Sequence, residues 1–312
     1  METAPTPPGF SICIPIYNGR RFLAETLASI RAQTYPHWEL IMAEDASPEP
    51  ARDIVEAFAA SVAQRVHYVA SPVNQGTART RDLAMSHAVM PLIAVLDADD
   101  LWDPEHLASL TKCFADPACE FAFSSTTMFF MGFDAEPLLI EPGPAERADL
   151  RAAYFYCRSW LPTGAIAFRR EMLTRTGTWA AGLDDKPAWL PNRNFAEDRN
   201  FLLRVVHAGV KPVWTGRSTF RYRKYAESTT GYNETGIPDR AWFYHHYGLL
   251  GDLPAGPQRR FLGYLNRQAG DILLAHDARR AAWFYFRAWR WWPWRVDRLL
   301  RATRAMLISL MK

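Results

Sequence analysis

Between residues 10 and 96 the chain alternates short apolar, β-branched runs with stretches whose apolar residues recur every three or four positions. Residues 10–17 (FSICIPIY) have the makings of a buried strand, closed by the turn pair Asn18-Gly19. Phe22, Leu23, Leu27 and Ile30 then fall at helical spacing among arginines and Glu25, until Pro36 ends the pattern. The same logic predicts a strand over 38–43 that ends in Glu44-Asp45 and a helix marked by Ile54, Val55, Phe58 and Val62. A strand over 66–70, a helix over 77–88 and a strand over 91–96 complete the run. Alternation of this kind predicts right-handed βαβ units, a largely parallel sheet and a ligand crevice at the carboxyl ends of its strands. The acidic clusters Glu44-Asp45 and Asp97-Ala98-Asp99-Asp100 both fall at such ends and should converge.

Beyond Phe114 the pattern loosens. It yields an aromatic stretch over 121–133, a proline-containing loop near 141–144, a helix near 145–156 and a short strand over 165–168. A helix over 196–207 and strands near 210–214 and 219–222 follow, and from about Asp239 the chain reads as helical, with breaks at Pro254, Pro257 and Pro293.

With 49% hydrophobic and 22% charged residues and a formal net charge of +3, the 312 residues describe a globular protein and exclude collagen-like, coiled-coil and disordered classes. No run reaches the roughly 18–20 apolar residues of a membrane-spanning helix, and the opening residues lack a secretory pattern, so a cytoplasmic location is expected. The spacing of Cys13, Cys113, Cys119 and Cys157 suits neither a zinc site nor a disulfide framework, which makes reduced thiols the expectation. The small net charge conceals an asymmetry. Residues 279–312 carry eight Arg and one Lys against Asp297 alone, a net of +8, so residues 1–278 carry about −5.

Asp97 and Asp99 directly follow the apolar run 92–96. Two carboxylates so placed can set one group on a ribose hydroxyl and the other on a hard cation, Mg²⁺ or Mn²⁺, that draws its remaining ligands from water and phosphates. A bare Asp-x-Asp is more often a solvated loop; its position after a buried strand is what favours a site. Around it stand Ile14-Pro15-Ile16-Tyr17-Asn18, Leu27-Ala28-Ser29-Ile30, Gln33-Thr34-Tyr35-Pro36, Glu39-Leu40-Ile41, Glu44-Asp45-Ala46-Ser47, Asn74-Gln75-Gly76 and Arg81-Asp82. Leu96-Asp97-Ala98-Asp99-Asp100 with Trp102 and Pro104 completes the series. In this order and spacing, over about residues 10–110, they resemble a family 2 glycosyltransferase of the inverting, GT-A type.

The resemblance implies an α/β GT-A fold, Rossmann-like with a mostly parallel sheet flanked by helices. It implies a nucleoside diphosphate sugar as donor, a glycan or lipid-linked hydroxyl as acceptor, and a divalent cation, Mn²⁺ or Mg²⁺, as cofactor. Pro15, Tyr17 and Asn18 would edge the nucleotide pocket, with Glu44, Asn74 and Gly76 nearby. Asp45 would hydrogen-bond the base, Asp97 would contact ribose, Asp99 would ligate the metal and Arg81 would lie near the nucleotide. Each has a plainer alternative: a helix-surface salt bridge for Arg81, a turn or cap residue for Asp45. Glu44 stands where Asp is usual and Ala46 where Gly is usual, and Ala46 argues against a turn that needs positive φ.

Glu197-Asp198 resembles the family's Glu-Asp motif at a helix start. This makes Asp198 the expected base for the acceptor hydroxyl and Glu197 an acceptor-positioning residue, against the alternative of acidic residues favoured in any first helical turn. Tyr222-Arg223 and Ser228 resemble the family's Tyr-Arg-x-His segment, with Tyr225 at the histidine's place and Arg223, Lys224 or a nearby His as substitutes. His245-His246 is a poor metal pair, since adjacent helical residues diverge.

In the tail, Val296, Leu299, Leu300, Leu307 and Leu310 gather opposite Arg295, Arg298, Arg301 and Arg304, beside five tryptophans between 283 and 294. This predicts either a basic amphipathic helix in peripheral contact with the inner face of the cell membrane or a helical hairpin packed on the domain with its arginines in water. Nucleic acid is not an expected partner, because no recognition module surrounds the tail. The expected organisation is a catalytic domain over 1–235, with a nucleotide half at 10–115 and an acceptor half at 116–235, then a helical extension over 236–312. The expected activity is transfer of a sugar in bacterial surface or extracellular polysaccharide synthesis. The alternatives are a non-catalytic nucleotide-sugar-binding scaffold and a metal-dependent nucleotidyltransferase.

Overall fold

A computed structural model describes residues 8–155, 161–185, 197–226, 238, 241–242, 255–275, 277–291 and 293–310. They form two compact units, residues 1–181 with 201–228 and residues 182–200 with 229–312. Cys157, Ser228, His245, His246 and residues 192–195 lie outside the described set.

The first unit is built on one sheet. Its parallel half comprises β1 (Phe10–Ile16), β2 (Trp38–Glu44), β3 (Val66–Ala70) and β4 (Leu92–Val95), in the order β3-β2-β1-β4. The crossovers are the helices α1 (Arg20–Arg31), α2 (Arg52–Ala59) and α3 (Thr77–Ser86). β1, β2 and β4 are buried along their whole length, as apolar strands covered on both faces must be. α1 buries Phe22, Leu23, Leu27 and Ile30, the residues its periodicity selects. α2 stops at Ala59 and does not reach Val62.

The second half is mixed. β5 (Leu101–Trp102), α4 (His106–Phe114), β6 (Phe121–Phe130) and β7 (Leu138–Ile140) lead to α5 (Pro144–Ala148) and α6 (Leu150–Phe155), two short helices where one is expected. After β8 (Ile166–Arg169) come α7 (Leu173–Thr176), α8 (Glu197–His207) and β9 (Pro212–Lys224). The sheet continues β4-β8-β6-β9-β5, antiparallel at β4–β8, β8–β6 and β9–β5 and parallel at β6–β9, with β7 antiparallel to β6. The two strands expected at 210–214 and 219–222 are one. Gly216 takes φ +72°, and the register slips against Phe123–Thr126, so a bulge absorbs the turn residues and the strand runs on.

The described tail contains α9 (Ala255–Leu273), α10 (Ala278–Trp291) and α11 (Val296–Leu310). Pro257 does not break the chain here. It is the third residue of α9, where its missing N–H costs no helical hydrogen bond. Pro293 does separate two helices. Among the described residues no helix is long and apolar enough to cross a membrane, and Cys13, Cys113 and Cys119 are free thiols.

His106 is fully buried, stacked on Trp102 at 4.4 Å with its Nδ1 2.9 Å from Thr219 Oγ1. Burial pushes its pKa down to about 3. The folded state therefore resists protonation that the unfolded chain accepts below about pH 6.5, and the stability tied to a neutral His106 is lost as pH falls from there. The unfolding free energy of the wild type relative to His106→Gln should narrow by about 1 kcal/mol per pH unit between pH 6 and 4, measured by urea titration. A constant difference would contradict it.

Candidate active site

The register carries both acidic clusters to one end of the sheet. Ile16 of β1 pairs with Glu44 of β2, and Cys13 of β1 pairs with Val95 of β4, so Asp45 and Asp97 emerge on either side of the β1 exit. Two strand spacings put them roughly 10 Å apart.

On the β2 side, Asp45 is buried, and its two carboxylate oxygens accept the backbone N–H groups of Gln75 (2.8 Å) and Gly76 (2.9 Å). Its own N–H donates to Ile16 O, and Asn74 Nδ2 lies 3.4 Å from its carbonyl. Each carboxylate oxygen retains a second lone pair for a ligand. Glu44 faces inward: it accepts from Ser47 Oγ, Ala51 N (3.0 Å) and Tyr68 OH (3.3 Å). The longer acid thus holds the loop after β2 together. Directly after Asp45, Ala46 sits at φ +55°, so the turn does adopt the left-handed conformation that alanine was expected to argue against. Asn18 is also left-handed, at φ +53°, and its N–H donates to Ser47 Oγ. Pro15 is buried within β1, whereas Tyr17, Asn18 and Asn74 are exposed.

On the β4 side, Arg81 and Thr163 hold Asp97 by its two oxygens: Arg81 Nη2 donates to Oδ1 (2.7 Å) and Thr163 Oγ1 to Oδ2 (2.9 Å). Arg81 is buried with its guanidinium 5.0 Å from the Trp179 ring, so it is no helix-surface ion pair. Trp179 in turn stacks on Phe201 at 4.3 Å. The loop that carries Trp179 is tied from both sides. Asp82 accepts from Thr178 Oγ1, Trp179 N and Ala180 N, and Arg204 donates to the carbonyls of Thr176, Thr178 and Trp179.

Asp99 is half-buried and accepts from Tyr225 OH at 3.0 Å. Burial, then the neighbouring Asp97, raises its pKa; the same causes, with Asp99 added, raise that of fully buried Asp100 well above the carboxylate range. Burial and Asp99 also push the Tyr225 hydroxyl far up, so it stays a neutral phenol that donates to the carboxylate. Arg223, buried between the rings of Phe22 (4.3 Å) and Phe129 (5.0 Å), braces this segment. Its N–H donates to Asp100 Oδ1, Nε to Asp99 O and Nη2 to Glu25. The guanidinium suggested as a stand-in for the missing histidine is committed to the backbone of the motif, and Tyr225 is the residue that reaches Asp99.

Among the described residues no three His, Cys, Asp or Glu side chains form a metal cage. Paired, partly buried carboxylates fit a hard cation that completes its shell from substrate oxygens and water. Glu197 and Asp198 open α8, within the second unit, where Asp198 Oδ1 accepts the Arg199 N–H at 2.6 Å. Thr163 and Trp179 were not singled out by the sequence. A Thr-Gly pair ahead of a strand was the only signal for Thr163, and nothing local marks Trp179.

Two substitutions test this geometry. Ala46→Gly should stabilise the protein by about 0.5–1 kcal/mol, because glycine enters the left-handed region without the Cβ penalty; a destabilised variant in thermal unfolding would contradict the strain. Thr163→Val should cost about 1–2 kcal/mol by leaving one Asp97 oxygen without its donor, and an unchanged melting curve would show that the contact contributes nothing.

The family model for Glycosyl transferase family 2 matches residues 11–183. The putative teichuronic acid biosynthesis glycosyltransferase TuaG of Bacillus subtilis is 32% identical over 131 residues, covering 42% of this chain and 51% of that protein; the chain thus spans about half that relative's length. Among solved structures, S. aureus TarS 1–349 in complex with UDP-GlcNAc superimposes with a TM-score of 0.64 at 16% identity, over 96% of this chain and 88% of that one. The mannosyltransferase PcManGT of Pyrobaculum calidifontis, in complex with GDP-Man and Mn²⁺, gives 0.58 at 19% identity over 99% and 90%. These likenesses show the GT-A fold. The family match, covering more than half of the chain, makes this protein a member of glycosyl transferase family 2.

Proposed function

We propose that the protein transfers a sugar, with inversion at the anomeric carbon, from a nucleoside diphosphate sugar to a hydroxyl acceptor in the assembly of a bacterial surface or extracellular polysaccharide. The observation that carries this is the acidic exit of β4, where Asp97 is fixed by Arg81 and Thr163 while Asp99 sits half-buried beside it. A surplus of negative charge in a partly desolvated site favours a cation and disfavours an empty solvent-facing loop. The complexes of TarS with UDP-GlcNAc and of PcManGT with GDP-Man and Mn²⁺ support the same donor class.

In this reading Asp45, with Pro15, Tyr17, Asn18, Glu44, Asn74 and Gly76 around it, forms the base end of the donor pocket. Arg81 presets Asp97 to receive the ribose hydroxyls. Asp99 would hold Mn²⁺ or Mg²⁺, whose positive charge would offset the negative charge of the departing diphosphate. Asp198 takes the proton of the acceptor hydroxyl as its oxygen bonds to the anomeric carbon. The bond from that carbon to the diphosphate oxygen breaks, and its electron pair leaves with the nucleoside diphosphate. Glu197 positions the acceptor. The catalytic domain spans residues 1–235.

Wild-type protein incubated with nucleotide sugars and a polysaccharide-type acceptor should release nucleoside diphosphate and form a product of inverted anomeric configuration, read by chromatography and NMR. Asp198→Asn should lower kcat by about 10²–10⁴-fold while nucleotide affinity holds. Release of pyrophosphate would replace this function with nucleotidyl transfer, and undiminished turnover by Asp198→Asn would remove Asp198 as the base.

A further inference from the structure

Of the two readings of the tail, membrane contact through an amphipathic helix or a hairpin packed with its arginines in water, the facing of the last helix reverses the packed one. Along α11, Arg298, Ala302 and Ala305 recur at i, i+4 and i+7 and are buried, with the Arg298 guanidinium donating to the Ala288 carbonyl at 3.1 Å. The opposite stripe, Val296, Leu300, Leu307 and Leu310 at i, i+4, i+11 and i+14, is 57–83% exposed. The arginine that a solvated hairpin would leave in water is inside, and the leucines it would bury are outside. Small inner residues let α11 sit against α10 through Ala288, and the large apolar side chains of the opposite stripe are left exposed. A contiguous apolar stripe of this kind marks a surface that meets something else.

We propose that the outward face of α11 docks on an anionic lipid bilayer. Charge selects that occupant over a second copy of the chain. Residues 279–312 carry a net +8, so two such faces brought together would repel, whereas an anionic surface complements them. Arg304 flanks the stripe in the open, and Trp294, 81% exposed, stands just ahead of the helix, where an interfacial aromatic would sit. On α10 the outward residues follow the same scheme, with Trp283 and Phe286 between Arg279 and Arg290. Apolar side chains would enter the headgroup boundary while the guanidiniums bind lipid phosphate.

The test uses the full chain, floated with vesicles of phosphatidylcholine alone or mixed with phosphatidylglycerol, at low and high salt. The wild type should partition at least about tenfold more strongly onto the anionic vesicles, and high salt should weaken the binding. Leu300→Asp with Leu307→Asp should lose at least about tenfold of that partitioning; the milder Leu300→Ser with Leu307→Ser should lose part of it, each with an unchanged circular dichroism spectrum. Failure of the wild type to bind, or full binding by a folded double variant, overturns the proposal. So does a vesicle-free wild-type dimer that the double variant converts to monomer, since the stripe would then belong to a second copy.

Discussion

Three carboxylates within four residues leave the end of β4 for partly or fully buried positions, and their burial, with their mutual proximity, is the constraint to which the surrounding structure responds. Burial and proximity hold up the pKa of Asp99 and Asp100, and an isolated buried carboxylate would be costly. The fold answers each differently. Asp97 receives a buried guanidinium and a hydroxyl, Asp100 a backbone N–H of β9, and Asp99 the hydroxyl of a neutral phenol. Asp99, half-buried and without a cationic side chain hydrogen-bonded to its carboxylate among the described residues, is the one assigned to the cation. Buried ion pairs contribute little net stability, so Arg81 and Asp97 are better understood as a positioning device.

α3 is the part that makes this possible. Its N-terminal boundary, at Gly76, supplies a backbone N–H to Asp45; just over a turn later Arg81 reaches Asp97, and the next residue, Asp82, ties down the loop bearing Trp179. One helix therefore sets the distance between the base end and the ribose end of the proposed donor pocket. Gly164, next to Thr163, shows how closely the other wall is packed: a Cβ there would lie 2.2 Å from the Phe220 ring, and its carbonyl accepts the Trp102 indole N–H.

The sequence makes the parallel half readable because strands covered on both faces are continuous apolar runs, and their crossovers show clean helical spacing. Asp45, Arg81, Asp97 and Asp99 were legible for the same reason, since they follow such runs or sit on such helices. Residue pairs far apart in the chain were not. Thr163 meets Asp97 across 66 residues and Tyr225 meets Asp99 across 126, and no local pattern encodes either. β9 was split because Gly216 mimics a turn, although a bulge within a paired strand accepts positive φ equally well. Ala46 misled because a short loop held by Glu44 at both ends can impose a left-handed residue against its own preference. Of the two readings of the tail, only the packed hairpin is reversed, because the smaller residues of α11, and not its larger apolar ones, face its neighbour.

The central claim is that the acidic exit of β4 binds a nucleoside diphosphate together with a divalent cation. The most direct measurement is thermal stabilisation of the wild type and Asp99→Ala by UDP, GDP, dTDP and CDP, each with and without Mn²⁺. A ligand at about 100 times its Kd adds about 2.7 kcal/mol, a shift of several degrees. The account predicts that one nucleotide gives such a shift only with Mn²⁺ and that Asp99→Ala abolishes it. No shift from any nucleotide, or a shift that Asp99→Ala retains, would contradict it.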